Sequence, residues 1–164
     1  MKNQKVRFIT QAGVIAALYT VLTYLSAVMG LSSGAIQCRF SEALCILPVF
    51  TSAAILGLFI GCIISNIIAG AVVLDVLFGS LATLIGAVFS RIVYKKTGSS
   101  FLSLLMPVLS NTFIVPWVIK FAYGATEAVP YIMLTVCIGE VISCVILGYM
   151  FYRIVLKRAK FLFK

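Results

Sequence analysis

Histidine is missing from this chain altogether, and only four of its 164 residues are acidic. The first absence removes the commonest general base and metal ligand, so no Ser-His or Cys-His pair can be assembled for nucleophilic catalysis. Five cysteines, Cys38, Cys45, Cys62, Cys137 and Cys144, stand singly with no C-x-x-C spacing. Neither a disulfide framework nor a metal site is supported, and small apolar packing is their expected role. No Walker motif occurs either, so ATP hydrolysis is not expected of this chain and no cofactor or metal is called for.

Charge is scarce as well. Only 10% of the residues are charged against 63% hydrophobic, and the mean hydropathy is +1.19, far above the roughly 45–50% apolar content of soluble domains. This reads as an integral membrane protein in one domain. Long unbroken apolar runs lack the period-2 alternation of a transmembrane barrel, so the class is all-α, and the length suffices for a bundle of six helices. The expected spans are 8–29, 36–50, 52–71, 75–94, 101–121 and 130–152.

A net charge of +9 would suggest nucleic acid in a soluble protein, but its distribution says otherwise. Lys2, Lys5 and Arg7, then Arg91, Lys95 and Lys96, then Arg153, Lys157, Arg158, Lys160 and Lys164 cluster at the ends of apolar runs. That is the positive-inside pattern; it places both termini and the middle basic loop in the cytoplasm and makes the bilayer, not nucleic acid, the partner. The apolar run from Phe8 to Leu31 exceeds the 7–15 residues of a signal-peptide core, so it is expected to stay as a helix.

Against this background the polar residues stand out. The stretch Q-C-R-F-S-E-A-L-C-I-L from Gln37 to Leu47 sets Arg39 and Glu42 three residues apart, where an i,i+3 spacing shares one helix face. Glu140 falls near the middle of the last span, where an acid costs on the order of 2.5–3.5 kcal/mol even on the lenient insertion scale. Asn66 is read equally as an interhelical hydrogen bond or a ligand contact. Asp75 opens the fourth span, where a helix cap is the favoured reading and a place at a pocket mouth the second. Asn111, Pro107, Pro116 and Trp117 share the fifth span, expected to be kinked; Trp117 and Tyr123 suit an outer aromatic belt, and Lys120 a snorkelling cation. Together Arg39, Glu42, Asn66, Asp75, Asn111, Trp117 and Glu140 imply a polar cup open to the outside. Ala12 and Ala16 make a small-x-x-x-small pair near the inner end of the first span, which spacing alone assigns to packing within the chain.

The stretch Q-C-R-F-S-E-A-L-C-I-L-P-V-F, with the following G-L-F-I-G-C-I-I-S-N and L-D-V-L-F-G-S-L-A-T-L, resembles the queuosine-precursor transporter family, substrate-binding S components of energy-coupling factor transporters. The likeness runs from about Gln11 to Tyr152. It implies a six-helix capture subunit for 7-deazaguanine cargo, such as 7-aminomethyl-7-deazaguanine or queuine, energised by a transmembrane T component and two partner ATPases. It also implies that Ala12 and Ala16 form the groove that docks on the T component, reversing the reading from spacing. On the cargo, Glu42 and Glu140 are expected to accept the guanine-type N–H edge and the aminomethyl cation, Asn66 or Asn111 to meet the ring carbonyl, Trp117 or Phe40 to stack on the ring, and Arg39 to pair with or orient Glu42. Alternatives are another flat cationic vitamin such as thiamine, or a scaffold subunit whose acids only tie helices together.

The topology has a direct check. On a background lacking the native cysteines, an impermeant thiol reagent applied outside should label Ser33→Cys and Ala125→Cys but not Gly98→Cys, and labelling of Gly98→Cys alone would reverse the orientation.

Overall fold

A computed structural model describes residues 2–32 and 36–162. The turn expected around Ser33 and Gly34 lies outside the described residues, as do the side chains of Lys2, Lys157, Arg158, Lys160 and Lys164. The chain is all-helical: α1 (Lys2–Val28), a 3-10 helix (Phe40–Val49), α2 (Ala53–Ile68), α3 (Val73–Thr97), α4 (Ser100–Ala122), then α5 (Val129–Glu140), a π-helical segment (Val141–Leu147) and α6 (Gly148–Leu162) in one uninterrupted rod.

Four of these stretches, Asn3–Val28, Val73–Thr97, Ser100–Ala122 and Val129–Val155, are long and apolar enough to cross a membrane. The chain is accordingly a multi-pass all-α membrane protein. The expected span 36–50 takes a different form. Its ten helical residues are wound as a 3-10 helix, which at about 2.0 Å per residue covers about 20 Å of a hydrocarbon core of about 30 Å. α2, with 16 residues, reaches about 24 Å.

Apolar side chains cover the exterior as well as the core, and polar ones are set among them inside. Val14, Leu18, Val21, Leu77, Phe113 and Leu134 point outward, while Thr23, Ser26, Ser41, Glu42, Asn66, Thr83, Ser90, Ser103 and Asn111 are buried. An apolar exterior suits lipid, and several of the hydroxyls inside find partners across or along helices, whereas Ser80 Oγ and Ser90 Oγ have none among the described residues. Thr23 Oγ1 donates to Ser41 Oγ at 2.8 Å, and Ser103 Oγ donates to the Ser90 carbonyl at 2.9 Å.

Close helix contact rests on small residues. A Cβ added at Gly57 would stand 2.7 Å from the Ala12 carbonyl oxygen, and one at Gly61 would stand 2.9 Å from that of Ala16. Ala12 and Ala16 are 4% and 5% exposed. The groove the family resemblance reserves for a partner is therefore filled by α2: the glycine ridge of α2 needs a facing surface without bulk, and this alanine pair supplies it. On the α3–α4 contact, a Cβ at Gly86 would come 2.6 Å from Pro107 Cα, and α4 runs continuously through both of its prolines.

One end of the bundle is tied by polar contacts. Thr51 Oγ1 donates to Gln11 Oε1 at 3.0 Å and accepts from the Ala53 N–H at 3.3 Å, making the tight turn between the 3-10 helix and α2. Arg91 Nη1 donates to the Pro48 carbonyl at 2.7 Å, and α3 stops at Gly98, whose φ of 68° supplies the left-handed cap. Exposed Lys5, Arg7, Lys95 and Lys96 gather at this same end.

The two faces of α1 should respond oppositely to bulk. Gly57→Leu on α2 is expected to lower the melting temperature in detergent, the overpacking costing about 1–3 kcal/mol or more, whereas Gly13→Leu, whose added Cβ meets nothing within 4 Å, should leave it nearly unchanged.

Candidate functional site

At the end opposite the basic cluster a cavity of about 340 Å³ opens between α3, α4, α5 and the start of the 3-10 helix. This is within the usual range of small-molecule sites. Asp75 in the first turn of α3, Glu127 before α5, and Gln37 and Tyr131 beside them surround its mouth; Glu42, Cys62, Thr83, Asn111, Glu140 and Ser143 line its depth. From the start of α5 to Glu140 the helix descends about 16 Å.

The floor is organised by the 3-10 helix, whose i,i+3 side chains eclipse one another. Glu42 and Cys45 thereby share a face, and Glu42 is 3% exposed. Its Oε1 accepts a hydrogen bond from Tyr19 O–H on α1, and its Oε2 accepts from Cys45 Sγ at 3.0 Å. The π-helical segment begins directly after Glu140 and carries Ser143 and Cys144 inward. Cys144 Sγ lies 3.2 Å from Glu140 Oε2 and 3.9 Å from Glu42 Oε2, so one thiol joins the two carboxyl groups. Asn111 on α4 lines the same cavity as Glu140. The cysteines expected merely to fill space thus act as weak donors to the buried acids. The sequence signal was the spacing, with Cys45 three residues after Glu42 and Cys144 four after Glu140. Tyr19 had no such signal, because its pairing with Glu42 spans 23 positions.

Glu42, Cys45 and Cys144 also place three possible ligand atoms within 4.8 Å of one another. In this arrangement both thiols are engaged with carboxylate oxygens.

At the mouth, Asp75 departs from the favoured reading. The cap position of α3 is Val72 and holds no side-chain cap bond; the Asp75 carboxylate instead accepts from Tyr123 O–H at 2.8 Å and lines the cavity. Partial burial and the neighbouring Asp75 carboxylate raise the Tyr123 phenol above its usual value, which keeps it a donor. Lys120, expected to snorkel, folds back so that Nζ donates to the carbonyls of Ala125, Thr126 and Glu127 at 2.8, 3.3 and 2.9 Å. Three backbone acceptors on one ammonium fix the α4–α5 loop and hold Glu127 at the rim.

Of the residues singled out from sequence, Arg39, Glu42, Asp75, Asn111 and Glu140 meet in this cavity. Trp117 does not: it is half exposed on the outer surface of α4 and stacks on Phe121 with centroids 6.0 Å apart, the placement of a belt residue. Asn66 is buried behind the wall, its Nδ2 3.7 Å from Cys62 Sγ. Phe40 is turned away from the cavity, with its backbone N–H on Ser26 Oγ at 2.8 Å. Nor does Arg39 pair with Glu42. It is the extended residue capping the 3-10 helix, with φ −118° and ψ 120°, off the helical register, and among the described residues its guanidinium has no carboxylate oxygen within 4.0 Å.

The family profile described as QueT transporter matches residues 9–157, which takes in the whole cavity. The chain belongs to the QueT transporter family. A protein of Lactococcus lactis subsp. cremoris (strain MG1363) named queuosine precursor transporter QueT is 39% identical over 85 residues. That alignment covers 52% of this chain and 50% of the relative, so it spans about half the length of each. No solved structure matches the chain.

The loop over the mouth can be probed directly. Lys120→Met should raise amide exchange across residues 123–128 by about tenfold or more, since three charge-assisted bonds of about 1.5–3 kcal/mol each are lost; protection equal to that of the unaltered chain would show that the loop holds itself.

Proposed function

We propose that this chain is the substrate-capture subunit of an energy-coupling-factor importer in a bacterial cell membrane, and that its cavity takes a queuosine precursor of the 7-deazaguanine class from outside. One observation carries the reading: the chain's only four carboxylates, Glu42, Asp75, Glu127 and Glu140, all line a single cavity. A protein with 13 basic residues that concentrates every acid around one pocket has built a receptor for a cation or for a molecule rich in N–H donors. Helix glue alone gives no reason for such convergence.

The cargo chemistry matches these groups. A guanine-type edge presents N1–H and a 2-amino group side by side, which one carboxylate accepts in a paired, charge-assisted contact, and an aminomethyl arm is an ammonium that suits a second carboxylate. Position 7 of the ring is carbon, so the ring carbonyl is the acceptor left to be met, and Asn111 is one donor within the cavity. Val115, Ile119, Ile132 and Val136 give the walls apolar surface, and Tyr131 supplies the aromatic face that Trp117 does not.

In this reading the 3-10 helix and α2 complete a six-crossing bundle with both ends in the cytoplasm, supported by the basic end lying opposite the cavity mouth. The chain itself performs no chemistry on its cargo; a T component and two ATPase subunits energise release inward. Any contact with that module through α1 uses its outward face, since Ala12 and Ala16 are occupied by α2.

Titration of the purified chain with 7-aminomethyl-7-deazaguanine, its 7-cyano analogue and thiamine tests the assignment. Glu42→Gln or Glu140→Gln at the carboxylate meeting the N–H edge should weaken both deazaguanines by about 30- to 1000-fold, equivalent to about 2–4 kcal/mol. The other substitution should weaken the aminomethyl compound far more than the uncharged cyano one. Tighter binding of thiamine would move the cargo to another vitamin, and losses of no more than a few fold for both variants would make the two acids structural.

A further inference from the structure

The Arg39 guanidinium lines the cavity, yet among the described residues it makes no hydrogen bond and no ion pair. It is only partly exposed, and Glu42, Asp75 and Glu140 line the same cavity. A cation with five N–H donors held this way in a largely apolar bundle is costly unless something completes it. Glu42 does not complete it: Tyr19 and Cys45 donate to its two oxygens, each of which keeps acceptor capacity for a further donor, and the guanidinium lies beyond 4.0 Å of both.

The backbone around Arg39 is fixed as well. Its own N–H donates to Ser143 Oγ at 3.1 Å, the Cys38 N–H donates to the Leu31 carbonyl at 2.9 Å, and the Gln37 carbonyl is pressed against Gly139 of α5, where no Cβ could be accommodated. Three anchors over three successive residues set the origin of the side chain before any ligand arrives. A pre-set donor that has no partner among the described residues, set beside two floor carboxylates, presents a donor–acceptor order to whatever enters.

We infer that Arg39 is a specificity-determining residue that donates to the ring carbonyl of the ligand, so that the cavity selects 6-oxo over 6-amino bicyclic bases. This rests on the functional reading above and extends it. A 6-oxo, 2-amino ring offers two donors and then an acceptor along one edge; a floor carboxylate followed by Arg39 offers acceptors and then a donor. A 6-amino ring reverses the pattern at two places. Its exocyclic N–H points at the guanidinium, and its bare N1 lone pair points at the carboxylate. Sites built to hydrogen-bond a polar group reject the mismatched analogue strongly, because the buried groups of the site are left unpaired.

The test is a binding titration of the full-length chain in nanodiscs with 7-aminomethyl-7-deazaguanine and 7-aminomethyl-7-deazaadenine, which differ at the 6-substituent and the 2-amino group but share the cationic arm. To isolate the 6-position, the 2-amino form of the deazaadenine is the third ligand. The unaltered chain should prefer the 6-oxo compound to its 2-amino, 6-amino counterpart by about 100-fold or more. Arg39→Met should lose about 30-fold or more in affinity for the 6-oxo ligand, change little for the 6-amino ones, and bring the preference down at least tenfold; Arg39→Lys, a cation with a different donor geometry, should fall between. Equal weakening of all ligands by Arg39→Met, or a preference left intact, overturns the role of Arg39 while leaving the cargo class standing. If Arg39→Met does not fold, an unchanged preference in Arg39→Lys overturns it equally. Failure of the unaltered chain to bind any of the three overturns the functional reading and this inference together.

Discussion

The arrangement of the outer half of this protein depends on keeping one carboxylate, that of Glu42, satisfied inside an apolar bundle. A buried acid without partners is intolerable at this depth, and the solution draws on three separate elements. Tyr19 comes from α1, Cys45 from the 3-10 helix itself, and Cys144 from the π-helical segment. Those contacts bring the first, second and last parts of the chain to one point, and the cavity is the space left above it. The same thiol that approaches Glu42 also holds Glu140, so the two acids are set in place as a unit rather than singly.

Packing and binding divide the bundle between them. The basic end is made of close helix contacts, with Gly57 and Gly61 against Ala12 and Ala16 and with Gly86 against Pro107. Toward the other end the same helices diverge enough to leave a pocket. Small residues draw the elements together at one end, and the side chains of Asp75, Tyr123, Lys120 and Glu127 organise the opening at the other. A cavity in a membrane bundle needs both, since lipid tails give apolar helices no net hydrophobic reason to associate.

How much of this was legible in the sequence follows from the range of each interaction. Membrane class and helical content were readable because they depend on composition and on long apolar runs. Five of the seven expected cavity residues converge there because charges and amides within such runs have few other places to go. The 3-10 winding of Phe40–Val49 was not readable, since an apolar decapeptide carries no periodicity that separates it from a short α-helix. Trp117 and Asn66, each read from sequence both as a cup residue and as a belt or helix-contact residue, stand outside the cavity for one reason: which side of a helix faces inward is decided by neighbours tens of residues away. The Tyr19–Glu42 bond and the grip of Lys120 on the following loop were invisible on the same grounds, the first because it is distant in sequence, the second because a lysine at a helix end usually serves as an interfacial anchor.

The rod running from Val129 to Leu162 has one irregularity, and it lies beside the cavity floor. A π turn carries an additional residue within a helix that is otherwise α on both sides. Removing one residue between Glu140 and Cys144 would restore uniform winding and leave the two halves of the rod nearly in phase, because a π turn takes up its additional residue within one turn. The change would be local: Cys144 would stand three residues after Glu140 instead of four, and the thiol contact between them would have to be remade. The irregularity therefore shapes the floor of the cavity without turning the ends of the rod.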